Sequence, residues 1–194
     1  VETNQLSAGI SAAVSAGDVN GDCFSDVLIG SAYYDGLATD GGRVDLYLGS
    51  PSGLGATPHW TAYSDQASAW FGWSAGSAGD VNGDGYGDYI IGAPGWDNGQ
   101  NLEGRATFYT GSSSGLSVPV WSIEGDQEGA ELGYSVGTGG DVNRDGFSDV
   151  LVALPAYDHG ESNEGVVWVF HGTTGGLAST PARVLEPDQA GASF

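Results

Sequence analysis

A chain of 194 residues with 25 acidic side chains, four arginines and no lysine has a formal charge of −21. Such a field repels phosphate backbones and anionic lipid surfaces, which argues against nucleic acid and membrane-surface partners. Glycine at 35 residues beside 11% aromatics describes a turn-rich all-β chain with groups to bury, unlike a disordered acidic tail.

At the chain start, Val1 opens no basic-then-apolar leader, and no apolar run approaches the roughly 18 residues of a membrane span. Membrane insertion is not expected, and an exported parent would carry its targeting segment outside this chain. Residues 9–17 then form a loose, small-residue segment that reads as a strand able to crowd against copies of itself. The acidic turn Asp18-Val19-Asn20-Gly21-Asp22-Cys23-Phe24-Ser25-Asp26 follows. The single Cys23 excludes an internal disulfide and reads as a small turn residue. A β-branched run at 27–32 predicts a buried second strand, closed by the pair Tyr34-Asp35. Alternation over 42–49 predicts a third strand, and a Ser/Gly turn at 50–54 leads to a last strand near Trp60.

The same order is written twice more. The acidic turns recur as Asp80-Val81-Asn82-Gly83-Asp84-Gly85-Tyr86-Gly87-Asp88 and Asp141-Val142-Asn143-Arg144-Asp145-Gly146-Phe147-Ser148-Asp149, starting 62 and 61 residues later. Small-residue strands precede them at 72–79 and 133–140, and buried runs follow at 89–94 and 150–155. The aromatic pairs are Trp96-Asp97 and Tyr157-Asp158, the third strands 104–111 and 165–172, the turns 112–116 and 173–177, and the last strands lie near Trp121 and Val184. Four strands per repeat, small inside and aromatic outside, describe a β-propeller blade. The fold expected is an all-β propeller segment of three blades, at about residues 4–64, 65–125 and 126–187, with a further blade starting at 188–194.

In each acidic turn, side-chain oxygens stand at positions 1, 3, 5 and 9 and a backbone carbonyl at position 7, which suits a hard cation replacing its water shell. The three expected calcium sites are Asp18, Asn20, Asp22, Phe24 and Asp26; Asp80, Asn82, Asp84, Tyr86 and Asp88; and Asp141, Asn143, Asp145, Phe147 and Asp149. An EF-hand would need Glu at position 12 and flanking helices, whereas position 12 here is Ile29, Ile91 or Val152. Magnesium is less suited, because it keeps several waters. Calcium would fill a structural role, holding the hairpin between the inner and second strands.

Phe71-Gly72, the acidic turn and Gly92-Ala93-Pro94 together resemble the FG-GAP repeat of the integrin α-subunit β-propeller. The first copy departs, with Ala8-Gly9 and Gly30-Ser31-Ala32, as does the third, with Leu132-Gly133 and Ala153-Leu154-Pro155. The resemblance implies a calcium-stabilised, non-enzymatic module of extracellular adhesion or ligand recognition at the cell surface. It places ligand contacts opposite the calcium turns, where Tyr33, Tyr34, Asp35, Trp96, Asp97, Tyr157, Asp158 and His159 could meet a peptide or a sugar. Those same aromatics read equally as packing groups, and the Asp residues as turn caps. The alternative class is a lectin-like carbohydrate-binding or catalytic propeller domain of a secreted enzyme, although no nucleophile elbow or phosphate loop is present. Three blades do not close a ring, so the chain is expected to be part of a longer propeller or to self-associate.

Overall fold

The structure is a computed structural model that describes residue 5 and residues 8–115 and 118–192. Asn4 of the first expected blade, Leu116 of the second Ser/Gly turn, and Ser193 and Phe194 of the further blade lie outside the described residues. The chain is all-β, and no helix occurs among the described residues.

Three antiparallel four-stranded sheets follow one another along the chain, each with its strands in chain order. The first holds β1 (Ala12–Gly17), β2 (Asp26–Ser31), β3 (Arg43–Tyr47) and β4 (Trp60–Tyr63). The second holds β5 (Ser74–Gly79), β6 (Asp88–Ala93), β7 (Arg105–Tyr109) and β8 (Pro119–Glu124). The third holds β9 (Ser135–Gly140), β10 (Asp149–Leu154), β11 (Val166–Phe170) and, after a small hairpin of β12 (Gly172–Thr173) with β13 (Gly176–Leu177), β14 (Arg183–Leu185). That hairpin occupies the third Ser/Gly turn.

The sheets stack face to face as blades, and burial follows from the stacking. Every residue of β6 is buried, because the second sheet lies between the other two. Its neighbouring side chains enter different cores: Ile91 joins Leu28, Val44 and Leu46 of the first sheet, while Ile90 joins Val150, Val152 and Phe170 of the third. Strand β2, covered on one face only, alternates over its first residues between buried and half-buried.

Innermost, β1 packs on β5 and β5 on β9. The repeated glycines make that approach possible. A Cβ on Gly92 would lie 1.9 Å from the Gly133 carbonyl oxygen, and one on Gly30 would lie 2.1 Å from that of Gly72. The Phe-Gly and Gly-Ala-Pro positions are therefore two halves of one contact between successive blades. The ring is open. Val19 and Val81, at position 2 of the first two acidic turns, are wholly buried, whereas the equivalent Val142 is 54% exposed on the uncovered face of the third sheet.

Candidate metal centres and the opposite face

Each acidic turn joins the inner strand to the second strand, at one end of its sheet. Its aspartates organise the backbone. In the first turn Asp18 Oδ1 accepts hydrogen bonds from the Gly21 and Asp22 amides (2.7 and 3.0 Å), and Oδ2 accepts one from Cys23 (2.8 Å). Asn20 Oδ1 accepts from the Asp22 amide (3.1 Å), and Asp22 Oδ1 from Phe24 (2.9 Å). The second turn repeats all five bonds within about 0.1 Å. In the third, Asp141, Asn143 and Asp145 make four of them.

Position 9 behaves differently. Asp26, Asp88 and Asp149 are wholly buried. Each accepts one amide from position 2 of its own turn and one from the glycine beyond the third strand: Val19 and Gly49, Val81 and Gly111, Val142 and Gly172, all at 2.8–3.0 Å. Burial, aided by the Asp84 and Asp80 carboxylates, pushes the Asp88 carboxyl up to about 6 against the pull of its two amide bonds. Asp26 is raised for the same reasons, burial first. In the third sheet His171 Nδ1 stands 3.1 Å from Asp149 Oδ1, a neighbour that the other two turns lack.

The turn needs left-handed backbone at positions 4 and 6. Gly21 and Gly83 supply the first (φ 74° each), and Gly85 and Gly146 the second (φ 88° and 94°). Arg144 (φ 62°) and Cys23 (φ 70°) adopt the same conformations without being glycine. Cys23 is exposed and unpaired, in keeping with its reading as a turn residue.

Successive turns also lean on one another. The Tyr86 ring covers Gly21 and the Phe147 ring covers Gly83, so closely that a Cβ on either glycine would lie 2.8 Å from the ring. The Gly87 amide donates to the Asp18 carbonyl (2.6 Å) and the Ser148 amide to that of Asp80 (2.9 Å). Phe24, Tyr86 and Phe147, expected only to lend carbonyls, thus link blades through their side chains when a preceding turn exists. The constant aromatic at position 7 opposite glycine at position 4 was the signal for this contact.

At the other end of the sheets, the aromatic-Asp loops do structural work. Asp35, Asp97 and Asp158 each cap their loop, accepting the amides of Asp40, Leu102 and Asn163 at 2.6–2.8 Å. Their backbones are held by glutamines from outside the loop. Gln5, Gln66 and Gln127 each accept the loop Asp amide and donate to its carbonyl, a clamp repeated every 61 residues. Tyr34, Trp96 and Tyr157 are half-buried; Arg43 lies 5.0 Å above Tyr34, Arg105 lies 4.7 Å above Trp96, and Tyr157 meets Trp168 edge-on. His159 is exposed beside Glu186.

A more open aromatic group lies nearer the inner strands. Trp73 contacts Tyr33, Trp70 and Tyr134 at ring-centroid distances of 6.2, 6.0 and 5.4 Å. Tyr33 and Trp73 line a concavity of about 480 Å3 together with Gly9, Ile10 and Ser11. Of this group only Tyr33 stood out in the sequence; Trp70, Trp73 and Tyr134 flank the Phe-Gly positions and were masked by that pattern.

The FG-GAP repeat family matches residues 71–109 and 132–170, which lie in the second and third sheets. Integrin alpha-V of Gallus gallus is 31% identical over 178 residues, covering 89% of this chain and 16% of the relative. Integrin alpha-5 of Xenopus laevis is 30% identical over 180 residues (84% and 17%), and integrin alpha-PS2 of Drosophila melanogaster 30% identical over 181 (89% and 12%). The chain thus spans 12 to 17% of the length of these relatives.

Proposed function

Because this chain is an FG-GAP repeat protein similar to integrin α subunits, we propose that it is a calcium-stabilised propeller segment serving extracellular adhesion or ligand recognition, without enzymatic activity. The acidic turns carry the reading. Buried Asp26, Asp88 and Asp149 anchor each turn to its own sheet, while positions 1, 3 and 5 gather oxygens at the exposed rim. The residues present fit a hard dication: an all-oxygen donor set, with no compensating lysine or arginine bonded to any of these aspartates among the described residues. The ligand set is the one expected from the sequence, Asp18, Asn20, Asp22, the Phe24 carbonyl and Asp26, with its counterparts in the other two turns. Calcium would neutralise carboxylates that otherwise repel, and so stiffen both the hairpin and the contacts between turns. The proposed blade limits are those expected from the repeat, about 4–64, 65–125 and 126–187.

Ligand recognition is assigned to the opposite face. Tyr33 and Tyr134 are 39% and 44% exposed, and with Trp73 they offer ring faces to an apolar or cationic side chain of a protein ligand. Tyr34, Trp96 and Tyr157 with their loop aspartates would border this surface rather than form its centre.

Binding of the immobilised chain to extracellular matrix proteins tests the reading. Trp73→Ala should weaken calcium-dependent binding at least tenfold with unchanged melting, the scale of a buried aromatic anchor of about 1.5 kcal/mol or more. Matrix binding that is indifferent both to chelator and to this substitution would refute it.

A further inference from the structure

Outside the acidic turns, two groups of side chains bring ligand atoms within 4.8 Å of one another: Glu103, Glu124 and Asp126 in the second sheet, and His159, Glu164 and Glu186 in the third. We propose that these are a second class of divalent-cation site, on the face opposite the calcium turns. The second-sheet site is built of carboxylates alone, and its third-sheet counterpart contains one imidazole.

Glu103 carries the inference. Its side chain is wholly buried, Oε1 accepts the Asn98 amide, and Oε2 has no hydrogen-bond partner although it is closed off from solvent. A buried carboxylate oxygen left bare is costly, and here the carboxylate that bears it lies within 4.8 Å of two others. Burial raises the Glu103 carboxyl against the pull of the Asn98 amide, and the Glu124, Asp126 and Asp97 carboxylates raise it as well. Arg105 Nε makes a long ion pair with Glu124 at 3.9 Å, which offsets one of the three carboxylates and leaves the cluster net negative. A dication satisfies the bare oxygen and the repulsion together.

The repeat shows that the arrangement is built twice. Glu103 and Glu164 are 61 residues apart, and each immediately precedes the glycine before the third strand of its sheet. Glu164 is also buried, and its Oε1 accepts the His159 and Glu161 amides at 2.8 and 3.1 Å. Glu124 and Glu186 extend from the ends of the last strands; Asn98 Nδ2 donates to Glu124, and His159 Nδ1 meets Glu186. The first sheet supplies the contrast. Gly41 stands in place of the buried glutamate and Tyr63, whose ring covers Gly36, in place of Glu124, so of the three carboxylates only that of Asp65 is kept. The donor chemistry separates the two sites: three carboxylates suit calcium, magnesium or manganese, and the mixed nitrogen and oxygen set suits zinc or manganese.

Equilibrium dialysis of the full chain against Mn2+ alone, and separately against Zn2+ alone, tests this. Glu124→Gln with Asp126→Asn, both outside the core, should remove about one Mn2+ per chain while the chain still unfolds cooperatively. His159→Ala should remove one Zn2+. Glu103→Gln should lose the same Mn2+ as the Glu124/Asp126 pair; should it fail to fold, the pair alone decides. Asp80→Asn with Asp84→Asn should remove a different ion, so failure of the calcium-turn reading and failure of this one are distinguishable. Unchanged ion counts in both the Glu124/Asp126 and His159 variants would overturn the proposal, and Glu103 would then hold a proton instead.

Discussion

Replacing Gly92 by alanine probes the contact on which blade stacking depends. The added Cβ would stand 1.9 Å from the Gly133 carbonyl oxygen, 2.4 Å from Ser74 Oγ and 2.8 Å from the Gly133 carbonyl carbon. Reaching even a 3.0 Å contact requires the inner edge of the third sheet to retreat by about 1.1 Å. That movement breaks the 2.7 Å bond from Ser74 Oγ to the Gly133 carbonyl, worth about 1 kcal/mol. It also opens the core in which Ile90 and Phe108 meet Val150, Val152 and Phe170, adding about 2–3 kcal/mol. Gly92→Ala should therefore destabilise by about 3–4 kcal/mol, read as a lowered urea midpoint at constant slope. Ala153 occupies the equivalent position in the third sheet, whose outer face is uncovered, so Ala153→Gly should cost only about 0.5–1 kcal/mol. A loss below about 1 kcal/mol for Gly92→Ala would refute the argument that this glycine sets the distance between blades.

Two further outcomes follow from the acidic turns. Arg144 holds a left-handed conformation that its counterparts Gly21 and Gly83 adopt freely, so Arg144→Gly should raise stability by about 1 kcal/mol in thermal unfolding. In calcium-free buffer the folded chain holds a proton on Asp88 up to about pH 6, whereas the ordinary carboxyl releases it near 3.8. The folded state binds more protons between those values, so ion-free stability should fall as pH rises from about 4 to about 6. Calcium affinity should move the other way, weakening as pH drops below about 6, because the ion must displace that proton. Urea unfolding in chelator at about pH 4 and about pH 6 would check the first sign, and calcium titration calorimetry on either side of about pH 6, in two buffers of different protonation enthalpy, the second.

Much of the fold was legible because each strand repeats its burial and punctuation at a fixed spacing. The small-residue strands 72–79 and 133–140 became β5 and β9, and the runs after the acidic turns became β6 and β10. The acidic turns were equally legible, since their bonds are local and each side chain acts within a few residues of its own position. Contacts across the blades were not. The partner of Gln66 is the Asp97 backbone, 31 residues on, and nothing local marks that glutamine as a clamp. Glu103 lies in the loop before β7 and Glu124 at the end of β8, and nothing local marks either as part of a cluster, although Glu103 is wholly buried. Tyr86 announced itself as a turn residue, but its packing on Gly21 exists only once two sheets are stacked.

The central claim is that calcium in the acidic turns holds this propeller segment together. Thermal unfolding of the chain in chelator and in 1 mM calcium tests it most directly. With dissociation constants of about 10⁻⁴ M, ordinary for extracellular modules, each filled turn should add about 1.4 kcal/mol, or about 4 kcal/mol for three. The account predicts a clear rise in melting temperature on adding calcium, diminished by Asp84→Asn. Superimposable melts with and without calcium would contradict it.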